Sequence, residues 1–200
     1  RPLRVITAEA GGGSDLVARI LAQALSSSLG QQVIVDNRGI VAAEIVAKAP
    51  VDGYTLLSYG SPFWISPLLQ KTPYDTLRDF SVVALTANSP NVLVVHPSVT
   101  ASSVKELIAL ARAKAGELNY ASSTTGSTPH LAGELFNAMA GVNIVRVNYK
   151  GNGPAFVDLV AGRVQMMVPS VGSVMPFVKS GKLRALAVAS AHPTELAPGL

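Results

Sequence analysis

Short β-branched runs alternate along the chain with longer stretches of helical period. The runs LRVITA, QVIVDN, YTLLSY, NVLVVH, LNYA, NIVRVN, VQMMV and LRALAV have strand length and composition. Between them, SDLVARILAQAL brings Leu16, Val17, Ile20, Leu21, Ala24 and Leu25 to one helical face, with Gly30 beyond its last turns. SSVKELIALARAK opens on Ser103 with Glu106 three residues later, the pattern of a capping box. PHLAGELFNAMAG aligns Leu131, Leu135, Phe136 and Met139 and stops at Gly141. PAFVDLVAG is shorter and ends at Gly162. This alternation predicts an α/β protein with mostly parallel sheets. HPSVTASS, residues 96–103, is rich in Ser with Pro and Thr and precedes a fresh helix. It predicts a boundary between one lobe at 1–99 and a second at 100–200.

Composition narrows the class. At 48% hydrophobic and 14% charged, 200 residues can bury a core, which excludes a disordered chain. The net charge of +4 comes from scattered Lys and Arg, without a basic run interleaved with aromatics, so nucleic acid is not an expected partner. The absence of cysteine removes disulfides and thiolate metal sites. No apolar run reaches the roughly 18 residues of a membrane-spanning helix. The chain opens directly on the strand-like RPLRVITA, and the expectation is that a leader has been removed.

Three turns share one design. AEAGGGSDLVAR, YASSTTGSTPHLAGELF and NYKGNGPAFVDLVAG each run from a strand through Gly and hydroxyl residues into a helix. The first turn of a helix leaves backbone N–H groups unpaired, and the helix dipole adds partial positive charge there. Glycines let a ligand approach that backbone, and hydroxyls add donors, so neutral groups can make an anion site. Pro129 and Pro154 suit the first helical position, which predicts Thr128 and Gly153 as N-caps. Phosphate fits poorly: GGGSDL lacks the Lys-Ser/Thr of a P-loop, and GNGPAF has Phe156 where a dinucleotide motif needs a small residue. Asp15 is expected in the first helical turn, where it stabilises the dipole. The anion expected is therefore a carboxylate held between lobes.

Catalytic signatures are missing. His96, His130 and His192 lack metal-ligand spacing, no G-x-S-x-G elbow exists, and no carboxylate pair stands out for acid–base work. No cofactor is called for, and the chain is not read as an enzyme. His130, near Ser122, Ser123 and Ser127, can order its loop, neighbour a ligand, or form half of a Ser–His pair; the last is the hydrolase alternative. YGSPFWISP puts Ser61, Phe63 and Trp64 in a Pro-flanked turn, either a packed loop or a pocket wall. VPSVGSVMP offers Ser170 in the same way after another strand.

The motifs AGGGSDLVARILAQAL, VDNR, DGYTLL, SPNVLVVHPS, SVKELIALA, LNYASSTTGSTPHLAGELF, YKGNGPA and LVAGRVQMM, taken in order over nearly the whole chain, resemble the Bug, or TctC-like, solute receptors. These are the periplasmic binding components of tripartite tricarboxylate transporters. The resemblance implies a type II periplasmic-binding-protein fold, with two Rossmann-like lobes around a ligand cleft. It implies capture of a small organic carboxylate by two loops and ordered water, without catalysis, by a periplasmic monomer that docks transiently on membrane transporter subunits. Docking on a signalling protein, as a sensor, is the other role it allows. Carried over, one loop is Gly11, Gly12, Gly13, Ser14 and Asp15, and the other is Gly126, Ser127 and Thr128 beside His130. The chain departs from the family in a short DNRGIVAAE segment after Arg38, in its carboxyl end at ELAPGL, and at Glu9, where the family more often has a small or apolar residue. The second departure implies a first lobe lacking a returning segment. Glu9 either faces solvent or favours a ligand bearing an amine or hydroxyl.

Overall fold

Each of the eight apolar runs forms a strand in a computed structural model that describes residues 1–200. The strands are β1 (Leu3–Thr7), β2 (Val33–Asn37), β3 (Thr55–Ser58), β4 (Val92–Val95), β5 (Asn119–Ser122), β6 (Val145–Asn148), β7 (Met166–Met167) and β8 (Arg184–Val188). The helices are α1 (Gly13–Leu29), α2 (Ala42–Ala47), α3 (Pro62–Leu69), α4 (Val104–Ala113), α5 (Thr128–Ala140), α6 (Asn152–Val160) and α7 (Val171–Lys179). The chain divides into two compact units, Arg1–Asn88 and Ser89–Leu200.

In the first unit three parallel strands lie in the order β2-β1-β3. Helix α1 packs on them through Ala18 and Ala22, which join Val5 and Val33 in a small core with Leu3, Leu25 and Val35 at its margin. The expected apolar face of α1 is therefore rotated: Leu16 and Ile20 are exposed, and small side chains face the sheet. Close approach of a helix to a sheet favours the residue with least bulk at the contact, which apolar periodicity alone does not reveal. SPFWISP, read as a turn, is instead the start of α3, with Pro62 in the first helical turn and Pro67 inside the helix. Two prolines in seven residues disguise it. Helices α2 and α7 also went unseen in the sequence, one by its shortness and the other by its internal Pro176.

In the second unit the order is β6-β5-β7-β4-β8. Strands β5, β6 and β7 are parallel, and β4 runs antiparallel to both β7 and β8. The sheet is thus mixed rather than wholly parallel. The boundary falls before β4 and not at residue 99, because β4 is paired on both edges within the second unit's sheet. Alternate residues of the strands feed two cores. Val92, Val94, Ala121 and Met167 meet Phe156 and Leu159 of α6 and Val174 of α7. Leu93, Val95, Tyr120 and Met166 meet Leu107 of α4, with Ala132 and Phe136 of α5 at the margin. A sheet covered on both faces explains why VLVV reads as an unbroken apolar run.

Both units wind three parallel strands in the same 2-1-3 order, β2-β1-β3 in the first and β6-β5-β7 in the second. In such open sheets the chain leaves the central strand in one direction and its neighbour in the other. Ligands bind outside the carboxyl ends of the strands at that switch point. The segments placed there are the turns after β1 and β3 in the first unit, and after β5 and β7 in the second.

Candidate functional site

The turn after β1 brings Gly11 to Asp15 to the amino end of α1. Gly11 has φ 82°, a left-handed conformation open to glycine, and Gly12 is the N-cap. Asp15 lies in the first helical turn, as expected, but it does more than face the dipole. It is only 6% exposed, and its carboxylate accepts from the Gly11 amide at 3.0 Å and from Asn37 Nδ2 at 2.9 Å. Arg19 Nε lies 3.0 Å from it. Burial disfavours the charge, but the bonds from Asn37, Gly11 and Arg19, with the Arg19 charge, outweigh it and hold the carboxyl below its usual range. Asp15 thus consumes the Gly11 N–H and ties the turn to β2, leaving the amides of Gly12, Gly13 and Ser14 at the helix start. Ser14 approaches the end of β3: a Cβ on Gly60 would lie 3.1 Å from its Oγ.

Ser61 occupies the N-cap position of α3, in the turn after β3, without a side-chain cap bond. Phe63 is 7% exposed, its ring centroid 4.6 Å from Trp64, 4.8 Å from Phe80 and 5.8 Å from Tyr74. It packs in an aromatic cluster of the first unit. Trp64, at 47% exposed, keeps a free face. Glu9 is half-buried at the same sheet edge, against Gly39, whose carbonyl accepts from the Tyr59 hydroxyl at 2.9 Å. No cation pairs with it, and burial raises its carboxyl above the ordinary value, with its own backbone amide pulling the other way.

The turn after β5 carries Gly126, Ser127, Thr128 and His130. Gly126 has φ 81°. The N-cap of α5 is Ser127, one residue earlier than expected, because Pro129 occupies the second rather than the first helical position. The cap of α6 is likewise Gly151 and not Gly153. Ser127 is 4% exposed, and its hydroxyl neither caps its own helix nor meets any other partner. Asn152 Oδ1, in the first turn of α6, is the other buried side-chain atom in this condition. Unsatisfied buried polar atoms are rare in folded chains and call for a partner. Ser170, the N-cap of α7, already shares a hydrogen bond of 3.0 Å with Ser173.

His130 Nδ1 accepts from the Gly126 amide at 3.1 Å, so the imidazole orders the turn. Ser122 Oγ is taken by Arg146 and Ser127 Oγ has no partner, so neither forms the Ser–His pair of the hydrolase alternative. Burial, then the Arg146 charge, lower the His130 pKa, against a smaller opposing pull from Glu134. Because the folded value lies below the unfolded one, the neutral ring's contribution is complete above about pH 6.5 and is lost as pH falls through the folded value. Thermal unfolding followed across pH 4 to pH 8 is expected to show this acid loss in the wild type and a reduced loss in His130→Ala. Equal slopes would refute the assignment. Arg146 itself escaped the sequence reading; a basic residue alternating with valines on an edge strand carries no motif.

Two 2-1-3 wound α/β units, the second with an antiparallel strand set into its sheet and both with glycine- and hydroxyl-rich helix starts, define a type II periplasmic-binding-protein fold. The sequence profile described as tripartite tricarboxylate transporter family receptor, TctC, matches residues 17–198, and the chain belongs to this family. It is 39% identical over 198 residues to protein BugT of Bordetella pertussis, covering 95% of this chain and 61% of BugT. Among solved structures it resembles R. palustris Rpa4515 with adipate (39% identity, TM-score 0.89, 95% of this chain and 66% of that one). It also resembles MatC (Rpa3494) from Rhodopseudomonas palustris with bound malate (27%, 0.84, 96% and 68%). The chain spans about three fifths of the length of the curated relatives it matches.

Proposed function

We propose that this chain is the ligand-holding part of a periplasmic solute receptor. Its second unit takes a small organic carboxylate on the turn that opens α5, for delivery to the membrane subunits of a tripartite tricarboxylate-type transporter. The observation that carries this reading is the buried Ser127 hydroxyl, left without a partner at the amino end of a 13-residue helix. A carboxylate oxygen there would accept from Ser127 Oγ and from first-turn amides, with the helix dipole in its favour. In the first unit Gly12, Gly13 and Ser14 make a helix start of the same kind on α1, with Ser61 and Trp64 after β3, and in the second unit Ser170 opens α7. Family membership and the relatives solved with adipate and malate support the ligand class. Where Glu9 faces the ligand, it favours one that brings an amine or a hydroxyl donor. Val82, Val83 and Leu85, each more than four-fifths exposed, form an apolar run that a returning segment of the first lobe would cover.

Calorimetric titration with a panel of organic acids tests the proposal. Binding of at least one acid is expected, with malate above adipate if Glu9 contributes. Ser127→Ala is expected to weaken the best ligand about tenfold, the loss of roughly one charge-assisted hydrogen bond. A panel with no binder, or a Ser127→Ala variant with unchanged affinity, would sink it.

A further inference from the structure

Arg146, on β6, bears a guanidinium that meets no carboxylate. Nε donates to Ser122 Oγ at 2.7 Å and Nη2 to Asn148 Oδ1 at 3.0 Å. Nη2 also reaches the Ser123 carbonyl and Thr125 Oγ1, each at 3.4 Å. All four acceptors are neutral, and three of them lie on the stretch from the end of β5 into the turn that delivers Ser127. Nη1 has no protein acceptor. Arg19 and Arg163 sit against Asp15 and Asp158, where a carboxylate balances the charge, and Arg112 and Arg184 donate to backbone carbonyls elsewhere; Arg146 is the uncompensated guanidinium with acceptors on the turn that opens α5. Arg146 is half-buried, so it has given up part of its water without gaining a counter-charge. Glu134, on α5, accepts from the Tyr120 hydroxyl.

A guanidinium is planar and permanently charged, and its fork can hold several acceptors in one geometry. Here that fork grips a turn otherwise built of Ser, Thr and Gly, which have small side chains and no charge. We infer that Arg146 is a positioning residue that holds the Ser123–Thr125 turn and supplies the positive charge by which the α5 site selects a carboxylate over an uncharged analogue of the same shape. This rests on the receptor reading above. The charge acts through the turn and through Nη1, and it is screened less than a surface charge because the group is half-buried.

Three proteins decide the matter: wild type, Arg146→Gln and Arg146→Lys. Affinities are measured for adipate and for its uncharged diamide at low and high salt. Wild type is expected to prefer adipate, and Arg146→Gln to lose about tenfold or more of that preference while binding of the diamide changes little. The salt dependence for adipate should flatten in Arg146→Gln and return in part in Arg146→Lys, which keeps the charge but not the fork. An unchanged preference, or equal weakening of both probes, overturns the inference in favour of a purely structural role. A readout independent of ligand is the His130 titration by NMR, since the imidazole feels Arg146 and Glu134. Its pKa is expected to rise in Arg146→Gln. If wild type binds neither probe, the best acid of the panel and its amide replace them; if no acid of the panel binds, the receptor reading fails, and the His130 titration alone judges Arg146: a rise upholds its field at the turn, and no change overturns it.

Discussion

Replacing Gly133 by alanine is expected to destabilise the second unit severely, although alanine is ordinarily the better helix former. Gly133 lies on the buried face of α5, directly over the ring of Tyr120 on β5. A Cβ at this position would stand 2.6 Å from Tyr120 Cζ and 2.7 Å from Cδ2, and closer still to Cε2. Tyr120 cannot yield, because it is fully buried within the core formed by Leu107, Ile144 and Met166, and its hydroxyl is held by Glu134. Helix propensity returns about 1 kcal/mol to the variant. Overpacking of a rigid core costs about 1–3 kcal/mol and occasionally more, and three ring atoms in conflict place this site at the top of that range. The net loss expected is about 2–3 kcal/mol, a fall in Tm of about 10 °C for a unit of this size. Gly133→Val should fare worse. Tyr120→Leu relieves the conflict, so the double variant Gly133→Ala/Tyr120→Leu should be more stable than the sum of the single changes predicts. An unchanged Tm in Gly133→Ala would mean that α5 can lift off the sheet at little cost, and the amino end carrying Ser127 would then be poorly positioned as well.

Gly133 also marks the limit of what the amino-acid pattern reveals. Strands β4 and β7 were legible because they are buried on both faces and apolar throughout, whereas β5, NYAS, showed itself as a short run before a glycine- and hydroxyl-rich turn. Helix existence was legible for α1, α4, α5 and α6 from periodicity and from caps: Ser103 Oγ accepts from the Glu106 amide at 3.2 Å, and Gly30 and Gly141 end their helices with positive φ. Glu106 reaches back to Ser102 rather than to Ser103, a small departure from the expected box. Helix faces were legible only in part: Leu25 and Phe136 pack against the cores as expected. Periodicity favoured Leu16, Ile20, Leu135 and Met139, all of which are exposed, whereas Ala18, Ala22 and Gly133 make the contact. Large residues dominate an apolar count, but the closest approach belongs to small ones. The candidate site divides in the same way. Glycine and hydroxyl turns announce themselves by composition. Arg146 and the partnerless state of Ser127 depend on register and packing that no local spacing encodes.

Asp15→Ala is the second large effect expected, and it separates a strut from a ligand group. The carboxylate binds the Gly11 amide, Asn37 and Arg19 within a nearly closed environment. Its removal strands a backbone N–H and an amide N–H and leaves Arg19 unbalanced, at a cost of about 2–4 kcal/mol to the first unit. Asp15→Asn is no true isostere, because its NH2 must face either the Gly11 amide or Asn37 Nδ2, donor against donor. The folded carboxyl lies below its unfolded value near 3.9, so this stabilisation is complete above that pH and drains away as pH falls through the folded value. Urea unfolding at pH 7 and pH 3 should therefore show a smaller difference in Asp15→Asn than in wild type. Ligand affinity discriminates further. If the charge faced a bound carboxylate, neutralising it would strengthen binding. Since three donors already saturate it and it anchors the turn bearing Gly12 and Gly13, the expected result is weaker binding in Asp15→Asn. Tighter binding would show that the carboxylate opposes the ligand directly and that the turn keeps its shape without it.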